Sequence, residues 1–212
     1  MTPPVIIMGA GGHSSVVLDA LLCAGVPVFG FVDEHVRVQS IESLPVMGAD
    51  DPRWLGMPEF QFVVAIGDNR VRAAIFERLL QRGGTPLTVV HPQAVVSRRS
   101  SIGPGTVVMA GAIVNPGAQI GANCILNTGC SVDHDCVVGD HVHLCPGVRL
   151  AGTVRIGKHT LLGTGSCVTP GRSIGSGTLV GAGSVVVRDL PDNCLAHGNP
   201  ARVQRFLKTP IA

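Results

Sequence analysis

The sequence predicts an α/β domain of Rossmann-like type followed by an all-β parallel solenoid, and three observations support this. Aliphatic residues recur at every sixth position through the second half of the chain. Aromatic residues are scarce, with six Phe, one Trp and no Tyr among 212 residues. In the first half, short apolar runs alternate with segments of helical periodicity. We expect residues 1–91 to form the first domain and residues 92–212 the second.

The composition excludes several classes of protein. A hydrophobic content of 45% excludes a disordered chain. The net charge of +2, without a run of Lys or Arg, does not favour a nucleic-acid partner. No apolar run reaches the ~18 residues of a membrane span, and residues 1–4 lack the basic region of a signal peptide. We therefore expect a soluble, cytoplasmic protein with reduced cysteines and no membrane partner.

The first domain is predicted to alternate strands and helices in the order β-α-β-β-α-β. Apolar runs predict the strands, and apolar residues spaced three or four apart predict the helices. The segments are a strand over 5–8, a helix over 14–24, strands over 26–32 and 61–66, a helix over about 70–81 and a strand over 85–90. This order is typical of a small parallel sheet, and we place the junction with the second domain at His91-Pro92.

A glycine-rich loop follows the first predicted strand and opens the first predicted helix. Its residues Gly9, Gly11 and Gly12 would let backbone N–H groups approach a phosphate at the helix N-terminus. Asp33 lies 24 residues after Gly9, roughly where a ribose-binding acid is expected. Ser14 stands where a dinucleotide-binding motif has its third glycine. A nucleotide sugar is therefore favoured over NAD, and a plain tight turn is the remaining alternative.

The second domain is predicted from a six-residue repeat. From Val96 in steps of six, sixteen successive positions up to Val186 are Val, Ile or Leu. We interpret each hexad as a short strand with a corner, and three hexads as one 18-residue coil of a triangular solenoid. About five coils then occupy residues 94–188, around an axis too narrow for aromatic rings. Three cysteines fall on the small-residue position of the hexad, which predicts core packing rather than catalysis: Cys124, Cys130 and Cys136.

One corner of the predicted solenoid carries a histidine between two acids. Asp133, His134 and Asp135 follow the inward-facing Val132 and are expected to be exposed. A histidine with a pKa near ~6.5 is largely neutral at pH 7. A carboxylate bonded to one ring nitrogen would fix its tautomer and stabilise the imidazolium that forms on proton uptake. The segment is thus a candidate general base, and a polar corner without a catalytic role is the alternative.

Several motifs occur together along the chain. They are Gly9-Ala10-Gly11-Gly12-His13, Gly67-Asp68-Asn69-Arg70, Asn127-Thr128, Asp133-His134-Asp135-Cys136, Leu150-Ala151-Gly152 and Gly198-Asn199-Pro200-Ala201-Arg202. This set resembles the hexapeptide-repeat sugar acyltransferases of the sialic-acid-O-acetyltransferase-like family. Within that family it is most similar to N-acetyltransferases of nucleotide-linked 4-amino-4,6-dideoxy sugars. The resemblance implies a left-handed parallel β-helix, a homotrimer, and acetyl-CoA as co-substrate without a metal.

The resemblance also assigns roles to residues. It implies that His134 is the catalytic base and that Asp135, which is Glu in many relatives, orients it. The 18-residue period places Gly152 next to His134, and the resemblance implies that its backbone N–H binds the thioester oxygen. The residues implied to bind the nucleotide sugar are Gly9, Gly11, Gly12, His13, Asp33, Gly67, Asp68, Asn69 and Arg70. Those implied to bind acetyl-CoA are Asn127, His143, Gly152, Thr164, Gly181, Ala182, Pro200 and Arg202.

The C-terminal segment is predicted to be a short helix. Asn199 is interpreted as its N-cap and Pro200 as its first residue, with the helix spanning 200–208. In similar proteins this segment lies beside the adenine end of coenzyme A. An ordinary solvated basic face is the alternative to phosphate binding by its basic residues, which are Arg202, Arg205 and Lys208.

The function implied is direct transfer of an acetyl group to the 4-amino group of a UDP- or GDP-linked 4-amino-4,6-dideoxyhexose, for surface glycan or lipopolysaccharide biosynthesis. O-acetylation of a sialic or related sugar and a non-catalytic scaffold are alternatives. A zinc enzyme of carbonic-anhydrase type is a further one, and it would need three of His134, His141, His143 and His159 to converge. His141 and His159 are otherwise expected at the surface. The nucleotide base and the C4 stereochemistry stay open.

Overall fold

The computed structural model describes residues 3–207, and its first domain is a six-stranded sheet with three helices. The strands are β1 (Val5–Met8), β2 (Val28–Asp33), β3 (Ser40–Ile41), β4 (Leu44–Gly48), β5 (Gln61–Val64) and β6 (Thr85–Pro86). The helices are α1 (Gly12–Cys23), α2 (Pro52–Leu55) and α3 (Asn69–Gln81). The sheet order is β3-β4-β2-β1-β5-β6, and every neighbouring pair except β3 and β4 is parallel. This confirms the Rossmann-like prediction.

Two features of the first domain differ from the sequence prediction. The β3–β4 hairpin and α2 were not predicted, because the hairpin turns through Glu42 and Ser43, which have φ of 47° and 68° without the usual Asn-Gly signal. The strand predicted over 85–90 is also two strands in different sheets. Only β6 belongs to the first domain, since Val89–Val90 (β7) pairs with the solenoid. The domain boundary near residue 91 stays a prediction.

The second domain is a parallel β-helix with three flat faces, built from strands of two residues. The first face contains β7, β10 (Val107–Val108), β13 (Ile125–Leu126), β16 (His143–Leu144), β19 (Leu161–Leu162) and β22 (Leu179–Val180). The second contains β8 (Val95–Val96), β11 (Ile113–Val114), β14 (Ser131–Val132), β17 (Arg149–Leu150), β20 (Cys167–Val168) and β23 (Val185–Val186). The third contains β9 (Ser101–Ile102), β12 (Gln119–Ile120), β15 (Val137–Val138), β18 (Arg155–Ile156) and β21 (Ser173–Ile174).

The strand register follows the predicted period. From β7 to β20, each solenoid strand pairs in parallel with the strand eighteen residues onward, as Val132 does with Leu150. From Val108 to Val186 every residue of the aliphatic column is at most 4% exposed, so this column fills the axis. All six Phe and the one Trp lie outside residues 89–193, where the axis leaves no room for a ring. The three cysteines are at most 1% exposed, which confirms the core prediction for Cys124, Cys130 and Cys136.

Three edges join the faces, and we name them by the order of the faces. The first edge, between the first and second faces, includes residues 127–130, 145–148, 163–166 and 181–184. The second edge, between the second and third faces, includes residues 133–136, 151–154 and 169–172. The third edge, between the third and first faces, includes residues 121–124, 139–142 and 157–160.

The predicted C-terminal helix is wrong, because the segment forms a strand. β24 (Cys194–Gly198) extends the first face beyond β22, and β25 (Ala201–Phe206) pairs with it antiparallel across the cis Asn199–Pro200 bond. A lone helix of nine residues would be marginal in water. The strand instead satisfies its backbone groups at a sheet edge already in place. Lys208 lies outside the described residues.

The two domains share packed surfaces. α1 lies on the outer side of the first face, where its Leu18 and Leu21 belong to one buried cluster with Val107 and Ile125 of the solenoid. This contact explains why the outward positions of β10 and β13 are apolar. Within residues 3–207, none of the helices is long and apolar enough to cross a membrane.

Candidate active site

His134 lies on the second edge, directly after β14, and its side chain is 59% exposed. Its Nδ1 is 2.9 Å from Asp135 Oδ2. An ionised carboxylate only accepts hydrogen bonds, so Nδ1–H donates to it and Nε2 keeps its lone pair. The pKa of His134 is raised by this hydrogen bond first, and then by the charges of Asp133 and Asp135. The imidazole is therefore an exposed and oriented proton acceptor.

The backbone of this corner fixes both acids. Asp135 has a φ of +56°, and its amide donates to Pro116 O at 3.1 Å. Its carboxylate lies over Gly117 of the preceding coil, where a Cβ would collide with Oδ1. Asp133 does not contact the ring, because its Oδ1 accepts from the His134 amide at 2.7 Å and from Asn115 Nδ2 at 3.0 Å. Asp135 thus orients the imidazole, and Asp133 fixes the backbone of the corner.

Gly152 lies beside the imidazole, as the eighteen-residue period predicts. The amide of Thr153 donates to His134 O at 2.9 Å, which locks the two coils together. A Cβ on Gly152 would stand 2.5 Å from His134 Nε2, so only glycine leaves room for the ring. The Gly152 amide has no hydrogen-bond acceptor among residues 3–207. An unused N–H thus lies next to the candidate base.

A second group of predicted residues meets where the first domain touches the solenoid. His143 is 9% exposed, and its Nδ1 lies 3.3 Å from Gly67 O. Its Nε2 is 3.2 Å from Asn127 Nδ2, and its ring stacks on that of His13 with centroids 6.3 Å apart. Burial lowers the pKa of His13, and lowers the pKa of His143 to about 4. Both rings are therefore neutral at pH 7.

A buried arginine that the sequence analysis missed joins α3 to the solenoid. Arg72 is 1% exposed, and burial lowers the pKa of its guanidinium to about 10. The guanidinium donates to the carbonyl oxygens of Ile66 at 3.0 Å, Asn123 at 3.0 Å and His141 at 2.8 Å, and to Asn69 Oδ1 at 2.7 Å. In the sequence its spacing does not distinguish it from an exposed helix arginine.

The expectation that His141 and His159 are at the surface is wrong. They are 9% and 5% exposed and stack with centroids 4.7 Å apart on the third edge. Phe76 of α3 packs edge-on against His141, with the two ring centroids 5.9 Å apart. Burial lowers the pKa of both, that of His141 to about 4. Asn69 also belongs to this contact, since its Nδ2 donates to His159 O at 2.9 Å.

The first domain has a cavity of about 450 Å³ at the carboxyl ends of its parallel strands. Gly9 and Asp33 line it. Asp33 Oδ2 accepts from the Ala10 amide at 2.7 Å, and Oδ1 from the His35 amide at 2.8 Å. The carboxylate thus shapes the glycine-rich loop. Parallel α/β sheets bind ligands at this end of the strands.

The remaining predicted residues of the first domain lie at two helix N-termini. Gly11 is the N-cap of α1 and Gly12 its first residue, and a Cβ at either would meet open space. Asp68 is the N-cap of α3, where its carboxylate accepts from the amides of Arg70 at 2.9 Å and Val71 at 3.0 Å. Asp68 therefore already has a structural role.

Most of the residues predicted to bind acetyl-CoA follow the first edge, whereas Gly152 lies on the second. Asn127 begins this column, and Thr164 and Ala182 lie farther along it with exposed side chains. At Gly181 a Cβ would stand 2.7 Å from His197 Cβ, so glycine lets β24 pack closely. Pro200 and Arg202 lie in the C-terminal hairpin beyond. The width of the second face therefore separates this column from His134.

A metal centre built from the predicted histidines would need more than one chain. Within residues 3–207, one group brings three potential ligand atoms within 4.8 Å of one another, and it is Asp19, Cys23 and His91. The Gln93 amide donates to His91 Nδ1 at 3.0 Å, so the neutral ring carries its proton on Nε2. That tautomer is unsuited to metal ligation through Nε2.

Comparison with known proteins agrees with this geometry. Residues 4–79 match the PglD N-terminal domain, and residues 117–152 match the bacterial transferase hexapeptide (six repeats). The structure of PerB from Caulobacter crescentus in complex with CoA and GDP-perosamine is 42% identical, with a TM-score of 0.91 over 97% of this chain and 99% of that one. The acetyltransferase domain of PglB from Neisseria gonorrhoeae in complex with acetyl coenzyme A is 37% identical, with a TM-score of 0.88 over 96% and 100%.

A curated relative matches over a shorter segment. The UDP-N-acetylbacillosamine N-acetyltransferase of Bacillus subtilis is 37% identical over 107 residues. That alignment spans 48% of this chain and 49% of the Bacillus protein, about half the length of each.

Proposed function

This chain belongs to the hexapeptide-repeat N-acetyltransferases of nucleotide-linked sugars, and we propose that it acetylates the 4-amino group of a nucleotide-linked 4-amino-4,6-dideoxyhexose with acetyl-CoA. One observation carries this proposal. The His134–Asp135 pair lies on an exposed edge, and its Nε2 lies close to Gly152, whose amide has no acceptor among residues 3–207. A base and an oxyanion donor next to each other suit attack of an amine on a thioester.

In the proposed reaction the sugar nitrogen attacks the carbonyl carbon of the thioester. His134 Nε2 takes the proton that the nitrogen loses, and the Gly152 N–H stabilises the tetrahedral oxyanion. The C–S bond then breaks, and the proton passes from His134 to the departing sulfur, giving an amide and the free thiol of coenzyme A. The proposed transfer is direct, without an acyl-enzyme, because the two cysteines that flank His134 in the sequence, Cys130 and Cys136, are buried in the solenoid core.

The first domain would hold the nucleotide. The open N-terminus of α1 at Gly11 and Gly12 suits a diphosphate, because its backbone N–H groups are free of side-chain caps. The cavity beside Gly9 and Asp33 is then the place for the nucleoside. His13, with a buried Nε2 that has no partner in residues 3–207, faces the junction with the solenoid, where the sugar would extend.

The catalytic residues and the predicted acetyl-CoA residues lie on different edges of the solenoid, and this separation supports a site between chains. His134 and Gly152 lie on the second edge, whereas the column from Asn127 to Ala182 lies on the first. A cyclic assembly would place the second edge of one copy against the first edge of the next. We therefore propose a homotrimer in which acetyl-CoA lies between neighbouring copies.

The cellular location of the enzyme is inferred from its cysteines. All seven cysteines are free thiols, which suits a reducing compartment. We place the enzyme in the cytoplasm, where it would supply an acetylated nucleotide sugar for surface glycan or lipopolysaccharide synthesis, and we expect no metal requirement.

The test is turnover by a His134→Asn variant. Wild-type protein is incubated with acetyl-CoA and UDP-, GDP- or dTDP-linked 4-amino-4,6-dideoxyhexoses, and release of free thiol is followed. We expect kcat to fall by ~10² or more in the variant, because a positioned base contributes about that factor. Retention of the acetyl group under mild alkali separates N-acetylation from O-acetylation. Near-normal turnover by the variant would refute the role of His134.

A further inference from the structure

The cavity of the first domain contains a carboxylate that no backbone group uses. Asp33 and Glu34 both line it, but both oxygens of Asp33 accept backbone amides. Glu34 accepts instead from Arg78 of α3, with Oε1 3.4 Å from Nη2 and 3.5 Å from Nη1. The Glu34 and Arg78 side chains are 59% and 58% exposed, so both remain open to a ligand.

The same cavity has a second guanidinium in its wall. Arg82 lies with its guanidinium carbon 4.1 Å from the centre of the Trp54 ring, and its Nη2 donates to Leu55 O at 2.7 Å. Its Nη1 has no hydrogen-bond acceptor among residues 3–207. The wall of the cavity thus includes the carboxylates of Asp33 and Glu34 and the guanidinium groups of Arg78 and Arg82, and the rest of it is largely apolar.

We infer that the Glu34–Arg78 pair selects guanine, so that the nucleotide substrate is GDP-linked. Guanine presents two adjacent N–H donors, on N1 and N2, next to the acceptors O6 and N7. A carboxylate beside a guanidinium is complementary to that edge, and both sets of hydrogen bonds are charge-assisted. This inference rests on the proposed function, since it assumes that the nucleotide occupies this cavity.

Other bases fit the pair less well. Uracil and thymine have a single N–H between two carbonyl groups, so Glu34 would face the lone pairs of an oxygen. Adenine has an acceptor at N1 where guanine has a donor, and Glu34 would again meet a lone pair. A site that hydrogen-bonds an N–H of its ligand rejects an analogue that lacks this donor, because a polar group covered by the ligand is then left unpaired.

Binding of free nucleotides tests the inference without requiring turnover. Trp54 is the one tryptophan in the sequence and lines the cavity, so its fluorescence reports occupancy, with calorimetry as a second measurement. The protein is titrated with GDP, UDP and ADP in the absence of acetyl-CoA. We expect the Kd for GDP to be at least ~10-fold lower than for UDP or ADP, and ADP controls for the size of a purine.

The variant Glu34→Gln separates base reading from general binding. We expect its Kd for GDP to rise ~10-fold or more while its Kd values for UDP and ADP stay within about twofold. Glu77→Gln, on the same helix as Arg78 but outside the cavity, is the matched control and should leave all three unchanged.

Two results would overturn the inference. One is a Kd for UDP equal to or below that for GDP. The other is an equal loss of affinity for all three nucleotides in Glu34→Gln. In either case turnover of a UDP- or dTDP-linked amino sugar, abolished in His134→Asn, would leave the proposed function standing. If none of the three nucleotides binds, both the guanine selection and the placement of the nucleotide in this cavity are overturned.

Discussion

At the scale of single residues, we expect the hydrogen bond from His134 to Asp135 to set the pH range of activity. It raises the pKa of the imidazole above its ordinary 6.5. A general base works when deprotonated, so activity should fall as the pH drops through this raised pKa. In Asp135→Asn the pKa of His134 falls. The acid limb of the kcat/KM profile should then move to lower pH, while the plateau drops about tenfold because the ring is no longer oriented.

The measurement is kcat/KM between pH 5 and 9 for the wild type and the variant. Asp19→Asn, which removes an exposed carboxylate from α1, is the control and should leave the profile unchanged. An acid limb that stays in place in Asp135→Asn would contradict the assignment of Asp135 as the partner that raises the pKa.

Gly152 is the other residue whose identity the geometry dictates. In Gly152→Ala the new Cβ would stand 2.5 Å from His134 Nε2 and force the imidazole aside. We expect kcat to fall by ~10² or more with little change in Tm, because the ring is exposed and can move without unfolding the coil.

The matched control is Gly171→Asn, on the same edge one coil farther along. The φ of Gly171 is +68°, which Asn tolerates, and a Cβ there has Thr153 Oγ1 at 3.7 Å as its nearest neighbour. Activity of Gly171→Asn should match the wild type. If Gly152→Ala were fully active, the imidazole could not act in the position that the structure shows.

At the scale of elements, Arg72 holds α3 and the preceding loop on the solenoid. Arg72→Met keeps most of the side-chain volume but leaves the carbonyl groups of Ile66, Asn123 and His141 without their donor. Each unsatisfied buried acceptor costs ~1–3 kcal/mol, partly relieved by relaxation. We expect the free energy of unfolding to fall by about 3 kcal/mol in urea titrations, whereas Arg98→Met, at an exposed corner, should change it by less than ~0.5 kcal/mol. An unchanged midpoint in Arg72→Met would show that packing alone holds α3.

Elements that repeat could be predicted from the sequence, and elements that occur once could not. Aliphatic residues recur at sixteen successive steps of six, so Arg172, which stands at a small-residue position of its hexad, does not obscure the repeat. The period then placed Gly152 beside His134 without further information. The β3–β4 hairpin occurs once, and its turn residues Glu42 and Ser43 do not form a recognisable turn motif. The same holds for β25, where Asn199-Pro200 has the composition of a helix start as well as of a turn.

Contacts between the domains were outside the reach of sequence patterns for a physical reason. Asn123, His141 and His159 occupy equivalent positions on the third edge, each with a positive φ, and in an isolated solenoid all three would be solvated. Their burial depends on Phe76 and Arg72 arriving from another domain. The local sequence period does not predict these contacts between domains, whereas it does predict the core of the solenoid.

At the scale of the whole molecule, the two edges make a prediction about mixed assemblies. His134→Asn disables the second edge, and Thr164→Trp, at an exposed position, would block the first edge without disturbing the core. Each variant alone should be nearly inactive.

In a cyclic trimer that contains both variants, one interface in three joins an intact second edge to an intact first edge. Co-expression in equal amounts followed by purification through two affinity tags, which removes the homotrimers, should therefore restore about a third of wild-type activity. The control pairs His134→Asn with Gly152→Ala, which lie on the same edge and should restore none. If His134→Asn and Thr164→Trp also fail to complement, both edges serve a site within one chain, and acetyl-CoA cannot lie between copies as proposed.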